Sequence, residues 1–253
     1  MAGRFFWYEL MTTDLERSVE FFASLLGGDV LRPDDGSTTL FLAPKDTESL
    51  QFAFIPIETE GGARSHWIGY LAVDDVDRAV EVTREHGGEL HALSDEDSDR
   101  LATDPRFAIV TDPTGAVLNL HEDVPVASSD DLPDLGRIAW LELLTNDRPR
   151  AAAYYRELVG WEIGAPHDRS DEGVAHALFD QERSFGLLRD LPKGSPVAPH
   201  WTFFIRVPDL DKAISDAKAL GGFIYEDAAS VDGGRRAIIF DPTGAPIGLW
   251  AAL

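Results

Sequence analysis

The five residues Asp112-Pro113-Thr114-Gly115-Ala116 return letter for letter as Asp241-Pro242-Thr243-Gly244-Ala245. Asp at the first position and Pro at the second suit a tight β-turn, and Gly stands where a side chain would clash. Each copy follows an apolar run, Phe107 to Val110 or Ala237 to Phe240, and precedes another, Val117 to Leu120 or Ile247 to Trp250. Each therefore predicts a β-hairpin that closes a larger module. A chain that writes the same hairpin twice is constrained to a duplicated fold, so the repeat must extend upstream.

It does. Trp140-Leu141-Glu142-Leu143 answers Trp7-Tyr8-Glu9-Leu10 at a spacing of 133 residues, His200-Trp201 answers His66-Trp67 at 134, and the two turns stand 129 apart. Three near-equal spacings point to gene duplication. Within the first half, Phe5 to Met11 reads as a strand, and Thr13 with Glu16 has the spacing of a capping box. Leu15, Val19, Phe22 and Leu26 then recur at helical spacing until Gly27-Gly28. Short strands follow at 28–31, 37–43 and 50–55.

The plan restarts with a strand from His66 to Val73, a helix carrying Val76, Ala79, Val80 and Thr83, and a stop at Gly87-Gly88. Strands are predicted at 89–93, 106–111 and 116–121. In the second half, helices contain Ala152, Tyr155 and Leu158 before Gly160, and Leu210, Ala213, Ile214, Ala217 and Leu220 before Gly221-Gly222. The predicted fold is α+β: four βαβββ modules paired into two domains, 1–124 and 137–253, with curved, mostly antiparallel sheets and helices outside. Residues 125–136, polar and broken by proline, read as a linker.

Composition narrows the function. The chain of 253 residues has a net charge of −23, which disfavours nucleic acid and anionic membrane as partners. No window is apolar enough to span a bilayer and the first residues lack the form of a signal peptide, so a cytoplasmic location is expected. With no cysteine there is no thiolate nucleophile and no Cys-based metal site. The acidic run Ser94 to Asp99 reads as a solvated loop rather than a cation site. Neither a Gly-x-Ser-x-Gly elbow, nor a phosphate-binding Gly-rich loop, nor His-Glu-x-x-His occurs.

The strand-to-helix joins Thr13-Asp14-Leu15-Glu16-Arg17-Ser18 and Val73-Asp74-Asp75-Val76-Asp77, the Gly-Gly helix ends and the paired turns resemble the vicinal oxygen chelate superfamily. That superfamily includes glyoxalase I, bleomycin-resistance proteins and extradiol dioxygenases. The Trp-x-Glu-Leu strands look most like its two-domain actinobacterial glyoxalase-like members, often labelled hydroxylases. The resemblance implies that paired modules curl their sheets around a small molecule. It also implies a divalent ion, Zn, Fe, Mn or Ni, held by His, Glu or Gln of the first and last strands and acting as a Lewis acid. The last-strand ligand position, seven residues past the turn Asp, here holds Asn119 and Gly248, and the first-strand positions hold Trp7, Ile68, Trp140 and Thr202. The inherited metal site reads as lost in both halves.

Polar groups remain on the same strand faces, because residues two apart point the same way. The first half offers Glu9, His66, Asn119 and His121 with Trp7 and Tyr70; the second offers Glu142, His200 and Thr202 with Trp140, Phe204 and Trp250. Glu9, His66, Glu142 and His200 are the candidate acid–base groups, and a rewired metal would use Glu9 with His66 or Glu142 with His200. The competing expectation is structural: salt bridges from the two glutamates to Arg106 or Arg235, and tryptophans in the core. Function is accordingly expected to be a glyoxalase- or dioxygenase-like lyase, isomerase or oxygenase acting on an oxygen-rich metabolite. The alternative is a binder that sequesters a drug or metabolite, and either would be a monomer or homodimer.

Overall fold

A computed structural model describes residues 3–34, 36–43, 50, 52–59, 62–91, 107–122, 132–168, 174–180, 183–191, 194, 197–231 and 233–253. The acidic run 94–99, Arg106 and most of the expected linker lie outside these residues.

Four modules recur as expected. The first is β1 (Phe5–Thr12), α1 (Leu15–Leu26), β2 (Asp29–Leu31), β3 (Leu40–Ala43) and β4 (Phe52–Pro56). The second is β5 (His66–Ala72), α2 (Val76–Glu85), β6 (Glu89–Leu90), β7 (Phe107–Thr111) and β8 (Val117–His121). The third is β9 (Ile138–Thr145), α3 (Arg148–Val159), β10 (Glu162–Ile163), β11 (His167–Asp168), β12 (Val174–Asp180) and β13 (Arg183–Asp190). The fourth is β14 (His200–Arg206), α4 (Leu210–Ala219), β15 (Phe223–Val231), β16 (Gly234–Phe240) and β17 (Pro246–Ala252).

The four helices among the described residues begin the same way. Asp14, Asp75, Asp147 and Asp209 are the N-caps, and each carboxylate accepts from the backbone N–H three residues on, at Arg17, Arg78, Arg150 and Lys212. This corrects the expected capping box. Thr13 lies one residue before the cap, where its hydroxyl and its N–H meet Ser65 Oγ at 3.1 and 3.0 Å.

Each half of the chain builds one sheet. The first runs β2-β3-β4-β1-β5-β8-β7-β6, and the second β10-β12-β13-β9-β14-β17-β16-β15, with β11 paired to β12. Parallel pairs join β1 to β4, β5 to β8, β9 to β13 and β14 to β17, and the hairpins are antiparallel. The repeated turns close β7–β8 and β16–β17. In each, the Asp N–H donates to the Ala carbonyl, and Gly115 and Gly244 take φ of 112° and 89°, a left-handed conformation that only glycine adopts without strain.

Contacts group the chain into two compact units. One comprises Met1–Phe6, Gly69–Asp130 and Leu141–Trp201; the other comprises Trp7–Ile68, Asp131–Trp140 and Thr202–Leu253. The first holds α2 and α3 around a buried aromatic group. There Tyr155 stacks on Trp161 at 5.1 Å, and both meet Trp201 edge-on. The second holds α1 and α4, with Phe22 edge-on to Phe52 and Trp67, and Tyr8 against Phe203. Burial on this scale, about 1.5–3 kcal/mol for each large apolar side chain, holds each unit's own core together.

Candidate functional site

In the unit built around α2 and α3, the alternation of β5 turns Leu71 into the core and Tyr70 to the sheet's other face. The parallel register sets Tyr70 beside Asn119, and the antiparallel register sets Phe107 opposite His121 and Ile109 opposite Asn119. Phe6 closes the group: its ring meets Tyr70 at 6.1 Å and His121 at 5.8 Å, and Phe107 meets the same two rings at 5.7 and 5.9 Å. Asn119 is 2% exposed and its Oδ1 has no hydrogen-bond partner among the described residues. An amide oxygen in that state costs about 1–3 kcal/mol until a donor reaches it. His121 Nδ1 lies 2.9 Å from the Glu122 carbonyl. A carbonyl only accepts, so Nδ1 is the donor of this bond. Three expected residues, Tyr70, Asn119 and His121, thus come together with two rings, Phe6 and Phe107, that the sequence reading passed over.

In the other unit, Trp7 and Glu9 share a strand face as expected, and the indole Nε1 donates to the Glu9 carboxylate at 3.3 Å. Phe41 lies 6.1 Å from the Trp7 ring. His66 is exposed at the start of β5, where Nδ1 donates to the Arg64 carbonyl at 2.8 Å. His200 opens β14 in the same manner, bonded to Ala198 O at 2.9 Å.

Glu142 has a different environment. Its carboxylate is fully buried and accepts from Arg189 Nε at 2.6 Å, the arginine being 3% exposed. The register explains the meeting: Leu187 lies opposite Glu142, and Arg189 is two residues further along the same face. The salt-bridge expectation therefore finds an unexpected partner. Arg235 instead pairs with Asp211 at the surface, which raises the guanidinium pKa and lowers that of the carboxyl.

The remaining residues of the second sheet, Trp140, Thr202, Phe204 and Trp250, are all buried. Phe204 lies opposite Gly248, and a Cβ built on that glycine would stand 2.1 Å from the Phe204 ring. Arg236, opposite Trp250 on β16, is also buried; its guanidinium carbon lies 5.8 Å from the Phe204 ring centre and its NH1 donates to Glu226 at 2.7 Å. Arg236 and Arg189 were the buried cations that sequence reasoning missed. The available signal was strand parity: each shares its face with apolar neighbours, Ile238 in one case and Leu187 in the other.

These residues do not fit a divalent ion. Among the described residues no three His, Cys, Asp or Glu side chains gather as a ligand group. The last-strand positions hold a neutral amide in one half and, in the other, a glycine whose side-chain space the Phe204 ring fills. Glu142, the strongest anionic candidate, is held by Arg189.

Comparison with known proteins agrees with this fold. The family described as the Glyoxalase/Bleomycin resistance protein/Dioxygenase superfamily matches residues 4–120 and 137–249. A putative glyoxylase, CFP32, of Mycobacterium tuberculosis is 27% identical over 94% of this chain and 91% of its own length. The anthracycline biosynthesis protein DauV of a Streptomyces species is 25% identical over 94% and 90%. Among solved structures, 2,2',3-trihydroxybiphenyl 1,2-dioxygenase from Sphingomonas wittichii superposes with a TM-score of 0.67 at 15% identity, covering 100% of this chain and 91% of the other. The Mn(II)-bound glyoxalase from Novosphingobium aromaticivorans gives 0.66 at 12% identity, covering 99% and 82%. The two matched segments together span most of the sequence, and the chain belongs to the glyoxalase/bleomycin resistance protein/dioxygenase superfamily.

Proposed function

We propose that the chain acts on a small, planar, oxygen-rich molecule held against Tyr70, Asn119 and His121, by lyase, isomerase or oxygenase chemistry. The observation that carries this reading is the buried, unpartnered Oδ1 of Asn119. It calls for a donor such as a hydroxyl, and the His121 ring stands two residues further along β8 on the same face. Phe6, Tyr70 and Phe107 supply flat apolar contact for a ring. The names of the relatives agree with this class, since one concerns anthracycline biosynthesis and a structural neighbour acts on a trihydroxybiphenyl.

In an enzyme, His121 accepts the proton of the bound hydroxyl, while Asn119 fixes the ring's orientation. A second reading, a binder that only holds the molecule, draws on the neutral amide at the family's ligand position: such a seat needs Asn119 and the rings but not the imidazole. Titration of 1,2-dihydroxybenzene into the protein, followed by calorimetry, tests the seat. Binding weakened about ten-fold or more by both Asn119→Leu and His121→Ala supports the first reading. Binding lost in Asn119→Leu but unchanged in His121→Ala supports the second, and no binding to the wild type refutes both.

A further inference from the structure

The two halves of the chain differ at one place where their backbones agree. Near the end of β8 the Val73 N–H donates to the His121 carbonyl at 2.9 Å, and near the end of β17 the Val207 N–H donates to the Trp250 carbonyl at 2.8 Å. His121 and Glu122 therefore stand where the second copy has Trp250 and Ala251, at the spacing of 129 residues that also separates the two turns.

The Glu122 side chain reaches α2, the helix that follows β5. Its Oε2 accepts from the N–H of Val76, the first residue of that helix, at 3.0 Å. Its backbone carbonyl accepts from His121 Nδ1 at 2.9 Å. One residue thus bonds a helix N-terminus through its carboxylate and an imidazole through its main chain. The first N–H groups of a helix have no intrahelical partners and favour a negative charge, so the carboxylate suits that place. The helix start does not require it. Asp75 already caps α2, accepting from the Arg78 N–H at 2.9 Å. In the second copy Asp209 caps α4 in the same manner, bonded to the Lys212 N–H at 2.9 Å, and Ala251 has no side-chain acceptor to add. The carboxylate goes with the imidazole: both occur in the half that has Asn119, and both are replaced in the other.

We infer that Glu122 is a positioning residue for His121. With its carboxylate fixed on α2, the Glu122 peptide is held in one orientation, and its carbonyl holds the Nδ1 proton. Phe6 and Phe107 meet the imidazole at interplanar angles of 80° and 68°, and so flank the ring that this bond orients. Which ring nitrogen carries the proton is set by such bonds. A ring that donates at Nδ1 exchanges a proton only through Nε2. The inference takes its purpose from the seat proposed above, where His121 receives a hydroxyl proton, but the bonds that carry it need no ligand.

Proton–nitrogen correlation spectra of the imidazoles at about pH 8, where an ordinary histidine is neutral, read the position of the proton. His121 is assigned by its loss in His121→Gln, and in the wild type it should be protonated at Nδ1. Glu122→Ala and Val76→Pro break the same bond from its two ends, the latter at a helix position where proline is tolerated. Both should shift His121 towards Nε2–H, the form an unconstrained imidazole prefers, and weaken 1,2-dihydroxybenzene binding about five-fold. Glu122→Gln, which keeps a side-chain acceptor, should preserve the wild-type signal. Asp75→Ala, which removes the other cap of α2, should lower stability and leave His121 protonated at Nδ1. If Glu122→Ala does not fold, Val76→Pro carries the test. A folded Glu122→Ala or Val76→Pro protein with an unchanged His121 signal, or Asp75→Ala with the same shift, overturns the inference. Absence of diol binding to the wild type refutes the seat alone, and the spectra still decide the role of Glu122.

Discussion

The Tyr155 hydroxyl donates to Asp112 Oδ2 at 3.0 Å, and so ties a helix of the third module to the hairpin turn of the second. Asp112 Oδ1 meanwhile accepts from the Thr114 and Gly115 N–H groups, the Thr114 hydroxyl and the Ala116 N–H, at 2.7–3.0 Å. The other unit repeats the device with different residues. Asp241 Oδ1 accepts from Thr243 and Ala245, and Oδ2 accepts from Ser18 Oγ at 3.1 Å. One turn carboxylate thus folds its own hairpin and bonds a distant helix. That double duty explains why the Asp of Asp-Pro-Thr-Gly-Ala is buried in both copies.

Tyr155→Phe should therefore destabilise the protein without disturbing the hairpin itself. The change strands Asp112 Oδ2 and also the Trp201 indole N–H, which donates to the Tyr155 oxygen at 2.9 Å. Each unsatisfied group costs about 1–3 kcal/mol, so denaturant titration should show a loss near the sum of two such terms. Ser18→Ala in the other unit, a smaller change that removes one donor from Asp241, should cost less.

High pH should unfold the protein through its buried phenols. Burial raises the pKa of Tyr8, of Tyr154 and, most of all, of Tyr155, where the nearby Asp112 charge adds to the shift. A folded pKa above the unfolded value of about 10 contributes stability that is complete below pH 10 and is lost as the pH rises towards the folded pKa. Phenolate absorbance should show these three tyrosines ionising together with the loss of tertiary signal. Independent ionisation before unfolding would contradict their burial.

The Glu142–Arg189 pair should behave as a buried ion pair. Removing one partner alone, as in Arg189→Met, leaves an uncompensated charge and should cost about 3–5 kcal/mol, while Glu142→Leu combined with Arg189→Met should cost much less. A double-mutant cycle on folding stability measures the difference. If Glu142 served instead as an exposed acid–base group, both single changes would leave stability nearly intact.

Gly248→Ala should be poorly tolerated. The new methyl group would meet the Phe204 ring at 2.1 Å, and the ring belongs to a fully buried side chain with little room to yield. Overpacking of this kind costs about 1–3 kcal/mol or more, and Phe204→Leu in the same chain should recover part of the loss.

Much of this molecule was legible in the sequence because its signals are local. Gly-Gly helix ends, Asp caps and the repeated turn are written within a few residues of the structure they make, and all four modules follow from them. The choice of Thr13 over Asp14 as a cap failed for a long-range reason: Ser65, 52 residues away, takes the threonine. The partners of Glu142, Asp112 and Asp241 were equally hidden. Each is fixed by strand register or by packing of a distant helix, which no spacing in the chain records. Tyr70, Asn119 and His121 could be grouped from strand parity alone, but Phe6 could not, because only the packed structure brings it onto them.

The central claim is that the Asn119 amide is kept unsatisfied for a ligand. Asn119→Leu tests it most directly, with stability and 1,2-dihydroxybenzene binding measured on the same preparations. Leucine of similar size removes a buried, unpartnered oxygen, so the variant should be at least as stable as the wild type while its affinity falls about ten-fold or more. A variant that is markedly less stable, or one that binds the diol as the wild type does, would show that the amide serves the fold and not a ligand.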